Sequence, residues 1–204
     1  LTKKDLIKYE DKCLLDRVYE IEARIQTKKY HFDEAIKGVR LQEQVTESKL
    51  LGLRLKRVAI ELFAFIQSNG NLVDESLQLR LEEMIQPVKD ISIPLHADTI
   101  TRYYYYTCFN FYYGVLRKPE KRLEYAQKVM DVLEANLDFV EVNTGIYFSA
   151  YSNLCQALLG INDFKRVSEK LREMRKSPFI SNIGSKKQIR IEALASIINT
   201  EVLL

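Results

Sequence analysis

The stretch that decides the fold is YSNLCQALLGINDFKRV, residues 151–167. Its apolar residues recur at three- and four-residue intervals on both sides of Asn162, which predicts two amphipathic helices joined by a short turn. The small residue Cys155 lies twelve positions before the slender Val167. Two helices pack closely only where small side chains meet, so this spacing predicts a helix hairpin.

The same twelve-residue spacing occurs three more times in the chain, and a half-repeat follows it at the C-terminal end. The pairs are Ala23 with Ala35, Ala64 with Ser76, and Gly114 with Ala126; the half-repeat is centred on Ala195. Successive repeats are 40 to 50 residues apart. A recurring unit of this kind predicts a stack of similar helical pairs.

The periodicity predicts nine helices and no strand, so the expected class is all-α in a single domain, residues 1–204. We expect four hairpins, at about 3–46, 48–86, 95–137 and 144–177, and a lone helix at 185–204. Pro87 and Pro94 would bracket an irregular connector. Seven glycines and four prolines in 204 residues agree with long helices and few turns.

The best of these repeats, Tyr151-Ser-Asn-Leu154-Cys155-x-x-Leu158 followed by Asp163-Phe164-x-x-Val167, resembles the tetratricopeptide-repeat superfamily of helical hairpins. The segment His31-Phe32-Asp-Glu-Ala35-Ile36 resembles it next best. The repeats here are longer than the 34 residues typical of that superfamily. The resemblance implies a right-handed α-solenoid of antiparallel hairpins, whose concave groove is lined by the first helix of each pair.

The resemblance also implies a non-catalytic interaction module that binds a peptide or a protein surface in the groove, without a cofactor. Counted from the small residue of each repeat, the expected groove positions hold Ser149, Ser152, Asn153 and Gln156 in the fourth hairpin, and Cys108, Phe111, Tyr112 and Val115 in the third. Asn153 matches a position where many members carry a ligand-contacting Asn. The lysines that grip a C-terminal carboxylate in that superfamily are absent, so we expect a mixed aromatic and polar groove.

The most unusual segment is YYYYTCFNFYY, residues 103–113. Its aromatic side chains cover nearly the whole circumference of a helix. A helix that is apolar all round is typical of a buried central layer. Alternatively, its tyrosines, Tyr106 among them, line a binding groove, because tyrosine supplies a large contact area at small entropic cost. The two interpretations can hold on opposite faces of one helix.

The net charge is only +3, but nine basic and three acidic residues lie between Asp163 and Arg190. A solvated helix face explains this excess. The alternative is a basic patch formed by Lys165, Arg166, Lys186, Lys187 and Arg190. It would make the protein a regulator that contacts nucleic acid or another phosphate-rich partner. We do not favour nucleic acid, because no groove-reading motif is present.

The sequence carries no catalytic motif, so we expect neither enzyme activity nor a metal site. His31 and His96 are isolated, and there is no phosphate-binding loop and no GxSxG element. The three cysteines are widely separated, which favours a reducing, cytoplasmic compartment over a disulfide framework. The sequence contains no run of 18 apolar residues, so we expect no membrane span.

The helix expected at 185–204 has the packing face of a first-of-pair helix but no second helix after it. Solenoids normally end in a polar cap. We therefore expect either that the chain is a piece of a longer solenoid or that this helix associates with a second copy.

Overall fold

The computed structural model describes residues 2–8, 11–69, 74–93 and 97–176. Over these ranges the chain forms nine α-helices and no strand, so the expected all-α class is confirmed. The helices are α1 (Lys3–Lys8), α2 (Lys12–Lys28), α3 (Phe32–Asn69), α4 (Glu75–Lys89), α5 (Thr99–Val115), α6 (Pro119–Glu134), α7 (Leu137–Val142), α8 (Thr144–Gly160) and α9 (Phe164–Lys176). The helix expected at 185–204 lies outside the described residues.

The helix α3 is a single continuous helix of 38 residues, about 57 Å long at 1.5 Å per residue. The prediction of two helices that part between residues 46 and 48 is therefore wrong. Residues 46–50 contain neither Gly nor Pro, and nothing in this segment stops a helix. The Ser48 hydroxyl, expected to begin a new helix, instead donates to Asp98 Oδ2 at 2.6 Å and accepts from Lys12 Nζ at 3.1 Å.

The first half of α3 packs against α2 in the opposite direction. Lys12 contacts Ser48 at one end of the pair, and Ala23 lies against Gly38 further along. A Cβ added at Gly38 would be 3.3 Å from the Ala23 Cβ, so this glycine lets the two backbones approach closely. Ala23 and Ala35 are both buried, as the repeat spacing requires, but the tightest contact involves Gly38.

The helices α5 and α6, joined by only three residues, also run in opposite directions. The Asn110 amide donates to the Arg122 carbonyl at 3.1 Å near the turn, and the Asn136 amide donates to Thr99 Oγ1 at 3.0 Å at the far end. Pro119 occupies the first turn of α6, where its fixed φ suits a helix start. The α8–α9 pair is likewise closed by a short turn, and Tyr151 of α8 donates to Glu173 of α9 at 3.0 Å.

The second half of α3 runs in the same direction as α5. Cys108 Sγ donates to the Leu55 carbonyl at 3.5 Å, and the rings of Phe63 and Phe111 lie 5.9 Å apart further along both helices. The helix α8 also packs against α6, and a Cβ added at Gly160 of α8 would be 3.6 Å from the Pro119 Cβ. The helices α3, α5 and α8 therefore expose one face each on the same side of the molecule.

Three further expectations are corrected. Ala64, expected at a helix crossing, is exposed, because the buried stripe of α3 passes through Leu62 and Phe65 instead. Pro87, expected in a connector, lies inside the last turn of α4, which ends at Lys89 beside the fully buried Val88. The short helix α7 was not predicted; Asn136 caps it by accepting from the Phe139 N–H at 3.1 Å.

Candidate functional site: a groove between three helices

The exposed faces of α3, α5 and α8 form a groove of about 520 Å³. The residues that line it recur at helical spacing on each of the three helices. They are Ala59, Ile60 and Phe63 of α3; Tyr103, Tyr104, Thr107 and Phe111 of α5; and Gly145, Phe148, Ser149, Ser152, Asn153 and Gln156 of α8. None of these side chains is charged, so the groove lining offers shape, apolar surface and neutral hydrogen-bonding groups.

One wall of the groove is apolar. Ile60 and Phe63 of α3 are 56% and 49% exposed, which is unusual for large apolar side chains that face a concavity. Phe63 packs against Phe111 of α5, so the wall continues from one helix to the next. Burial raises the pKa of Tyr103 to about 12, so this phenol stays neutral at physiological pH. The wall offers apolar surface that no described residue covers.

The opposite wall is polar and belongs to α8. Ser149, Ser152 and Asn153 have no hydrogen-bond partner among the described residues, so their donors and acceptors are open to an occupant. Gln156 differs, since its Oε1 accepts from Arg122 Nη2 at 3.0 Å. Positions 145, 149, 152 and 156 are three or four residues apart and share one helix face. Unpaired amides and hydroxyls of this kind are what an extended backbone can bind.

Five of the nine groove residues expected from the sequence lie in this groove: Phe111, Ser149, Ser152, Asn153 and Gln156. Tyr106 and Tyr112 lie elsewhere. Tyr106 faces α6, with its ring 6.3 Å from that of Tyr125. Tyr112 is buried between α5 and α4, where Glu82 accepts from its hydroxyl and Lys89 donates to it at 3.2 Å. Each faces a neighbouring helix because α5 is surrounded by α3, α4, α6 and the groove.

The aromatic helix α5 thus serves both as core and as groove wall. Cys108 and Val115, also expected in the groove, are buried against α3 and α4. Tyr103, Tyr104, Thr107 and Phe111 take the groove face. Counted from the small residue of each repeat, the groove residues of α5 lie at positions that correspond to those of α8. The groove residues of α3, counted from Ala64, lie at other positions. The sequence could therefore have identified Thr107 by analogy with Phe148, but not Ile60.

Sequence reasoning also missed Arg122, which lies at the end of the groove. Its guanidinium contacts Gln156, yet no repeat position singles out residue 122, because its contacts lie on two other helices, α5 and α8. The arrangement can therefore be recognised only after the helices are packed.

The expected basic patch is only partly described. Lys165 and Arg166 are exposed on α9, and Arg166 pairs with Asp163 at 3.6 Å. Lys186, Lys187 and Arg190 lie outside the described residues. Nearby, Lys170 pairs with Glu173 at 2.6 Å, so acidic neighbours offset part of the positive charge of α9.

In the part of the chain that the structure describes, no group of three or more His, Cys, Asp or Glu side chains could hold a metal ion, and no helix is long and apolar enough to cross a membrane. No family model, no curated protein and no solved structure matches the chain. The groove is therefore interpreted from its own geometry and chemistry.

Proposed function

We propose that this protein is a non-catalytic interaction module that binds an extended peptide, or a protein surface segment, in the groove between α3, α5 and α8. The observation that carries the proposal is the pairing of an exposed apolar wall with a wall of unpaired hydroxyls and amides along one concavity. A peptide offers both complements, because it alternates apolar side chains with backbone N–H and C=O groups.

The proposal includes a tetratricopeptide-like arrangement, in which the helix pairs continue as a right-handed α-solenoid. Two features support it: the antiparallel contacts within α2–α3, α5–α6 and α8–α9, and the shared direction of α3 and α5. A solenoid exposes a concave surface made of corresponding helices, which suits an elongated ligand. The continuous α3 is a departure, since it links the first two pairs without a turn.

A library of random peptides displayed with free C-termini tests this function. Peptides are selected on the wild-type protein, and the dissociation constant of the best one is then measured by fluorescence anisotropy. Ser152→Arg places a long side chain in the middle of the groove and should weaken binding by at least about tenfold. Ser168→Arg makes the same substitution on the exposed surface of α9 and should leave the dissociation constant unchanged.

Smaller changes give a second test. Asn153→Ala removes an unpaired amide from the groove and should weaken binding, whereas Tyr106→Ala changes a side chain that faces α6 and should not. Selection of no peptide, or equal weakening by Ser152→Arg and Ser168→Arg, would contradict the groove as the binding site.

A further inference from the structure

The three helices α5, α6 and α8 meet at the Arg122 side chain. It begins on α6 and lies flat over Gly114 of α5, where an added Cβ would be 3.3 Å from its Nε and 3.4 Å from its Cδ. It then reaches α8, where Nη2 donates to the groove residue Gln156 at 3.0 Å. Gly114 thus leaves the space that lets a cation reach the end of the groove.

The hydrogen-bonding capacity of this arginine is largely unused. A guanidinium has five N–H donors, and within the described ranges only the bond to Gln156 uses one of them. Its Nε is buried without a partner, and so is Oδ1 of the neighbouring Asn110, whose side chain is 1% exposed. Buried polar atoms in folded proteins nearly always have partners, so the unpaired Nε indicates that the described residues do not saturate this guanidinium.

The charge is uncompensated as well. No carboxylate in the described part of the chain lies within 4.0 Å of the guanidinium, and burial lowers the pKa of Arg122. The group stays charged at neutral pH because the ordinary pKa of arginine is so high. A partly buried cation without a counter-charge costs free energy, which an incoming anion recovers.

We propose that the end of the groove at Gln156 binds a carboxylate of the bound peptide, with Arg122 as its counter-charge. This inference rests on the proposed function and names the chemistry of the ligand. A carboxylate matches the planar fork of a guanidinium, and no acidic residue lines the groove to repel it. The carboxylate comes either from an Asp or Glu side chain or from the C-terminus of the peptide.

The sharpest test is Gln156→Glu, which supplies Arg122 with a carboxylate from within the protein. Gln156 is exposed, so the substitution should not disturb folding. The built-in carboxylate competes with that of the peptide, and the selected peptide should bind about 10- to 100-fold more weakly. Gln78→Glu, on the exposed surface of α4, changes the net charge equally and should leave binding unaltered.

Two forms of the peptide identify the source of the carboxylate. Amidation of its C-terminus weakens binding if the terminal carboxylate is bound, and replacement of its Asp or Glu by Asn or Gln weakens binding if a side chain is bound. Each loss should disappear in the Gln156→Glu protein. Thermal denaturation gives a readout without ligand, in which Gln156→Glu should melt higher than the wild type.

Selection of no peptide at all would contradict both the proposed function and the proposed carboxylate site. The other contradicting outcome is a selected peptide that binds Gln156→Glu as tightly as the wild type and loses no affinity in either neutral form. That result would contradict the carboxylate site but not the groove as the binding site.

Discussion

The first and last helix pairs carry the same twelve-residue spacing but are packed very differently. In the α8–α9 pair, Leu158 and Val167 are fully buried, and α8 packs on a further helix, α6. In the pair formed by α2 and the first half of α3, the seam is buried at Leu15 and Tyr19. The outer faces of that pair remain exposed, with large apolar side chains at Ile21, Ile25, Phe32, Ile36 and Val39.

The difference shows what the spacing specifies. Small residues twelve positions apart lie in the contact between the two helices of each of these pairs, but the exposed Ala64 shows that the spacing alone does not determine pairing. What covers the outside of the pair depends on helices that are distant in sequence. The α2–α3 pair has little such cover in the described structure, apart from α1 and the contact of Lys12 with Asp98.

Among the described residues, exposed apolar surface includes the groove and the outer faces of the α2–α3 pair. We propose the groove as the binding site because its apolar wall faces neutral polar side chains that have no partner among the described residues. The N-terminal pair borders a second concavity of about 420 Å³, where Phe32, Ile36 and Val39 lie beside the charged residues Arg40 and Glu43 instead of a row of neutral hydroxyls and amides.

The largest expected difference between the two pairs is in stability. Leu158→Ala leaves a cavity in a fully enclosed core and should lower the free energy of unfolding by about 2–5 kcal/mol. Leu15→Ala removes the same atoms from a thinner core that can relax, and the loss should not exceed about 2 kcal/mol. Urea denaturation followed by circular dichroism measures both. Equal losses would contradict the packing contrast.

The close approach of α2 and α3 gives a second test. Gly38→Leu forces the two helices apart at Ala23 and should cost about 1–3 kcal/mol. Gly145→Ala is the matched control, because its added Cβ meets nothing within 4 Å. The midpoint of urea denaturation should fall for the first variant and stay level or rise slightly for the second. An unchanged midpoint for Gly38→Leu would mean that α2 and α3 are not closely packed at Ala23.

The link between the N-terminal pair and α5 depends on the charge of Asp98. Burial alone would raise the pKa of this carboxyl, but hydrogen bonds from Lys12, Ser48 and the Thr101 N–H lower it below 3.8. The stabilisation is therefore present above pH 3.8 and is lost as the pH falls through the lowered value. Asp98 caps the N-terminus of α5. Asp98→Asn keeps a capping side chain but removes its charge, and it should lower the free energy of unfolding by about 0.5–2 kcal/mol at pH 6.

At pH 3 the difference between Asp98→Asn and the wild type should shrink, because protonation removes the same charge from the wild type. Urea denaturation at the two pH values measures it. A cost that is independent of pH would mean that the carboxylate does not join the helices electrostatically.

The smallest effect is expected for the basic patch. Charge reversal at Lys186, Lys187 and Arg190 should leave peptide binding in the groove unchanged, since the described lining of the groove is uncharged. Gel retardation with DNA and RNA at low salt tests the alternative function. Retardation that weakens steeply with salt and disappears on charge reversal would favour a phosphate-rich partner.

The helical class and much of the groove could be predicted from the sequence, and the reasons are local. Pro119 begins α6, and the face of α8 with Asn153 follows from helical spacing alone. The continuity of α3 was missed although no helix-ending residue lies at 46–50, because Ser48 was interpreted as a helix start, whereas its hydroxyl binds Asp98, fifty residues away in the chain. Arg122 could not be identified from the sequence, because its contacts form only where α5, α6 and α8 meet.

The most direct test of the account is methyl NMR on protein labelled at isoleucine, titrated with a selected peptide. Ile60 reports on the groove, whereas Ile21, Ile25 and Ile36 report on the equally exposed N-terminal pair. We expect the Ile60 signal to shift with peptide concentration while the other three stay in place. Shifts of Ile21, Ile25 or Ile36 with an unchanged Ile60 would contradict the groove and place binding on the N-terminal pair.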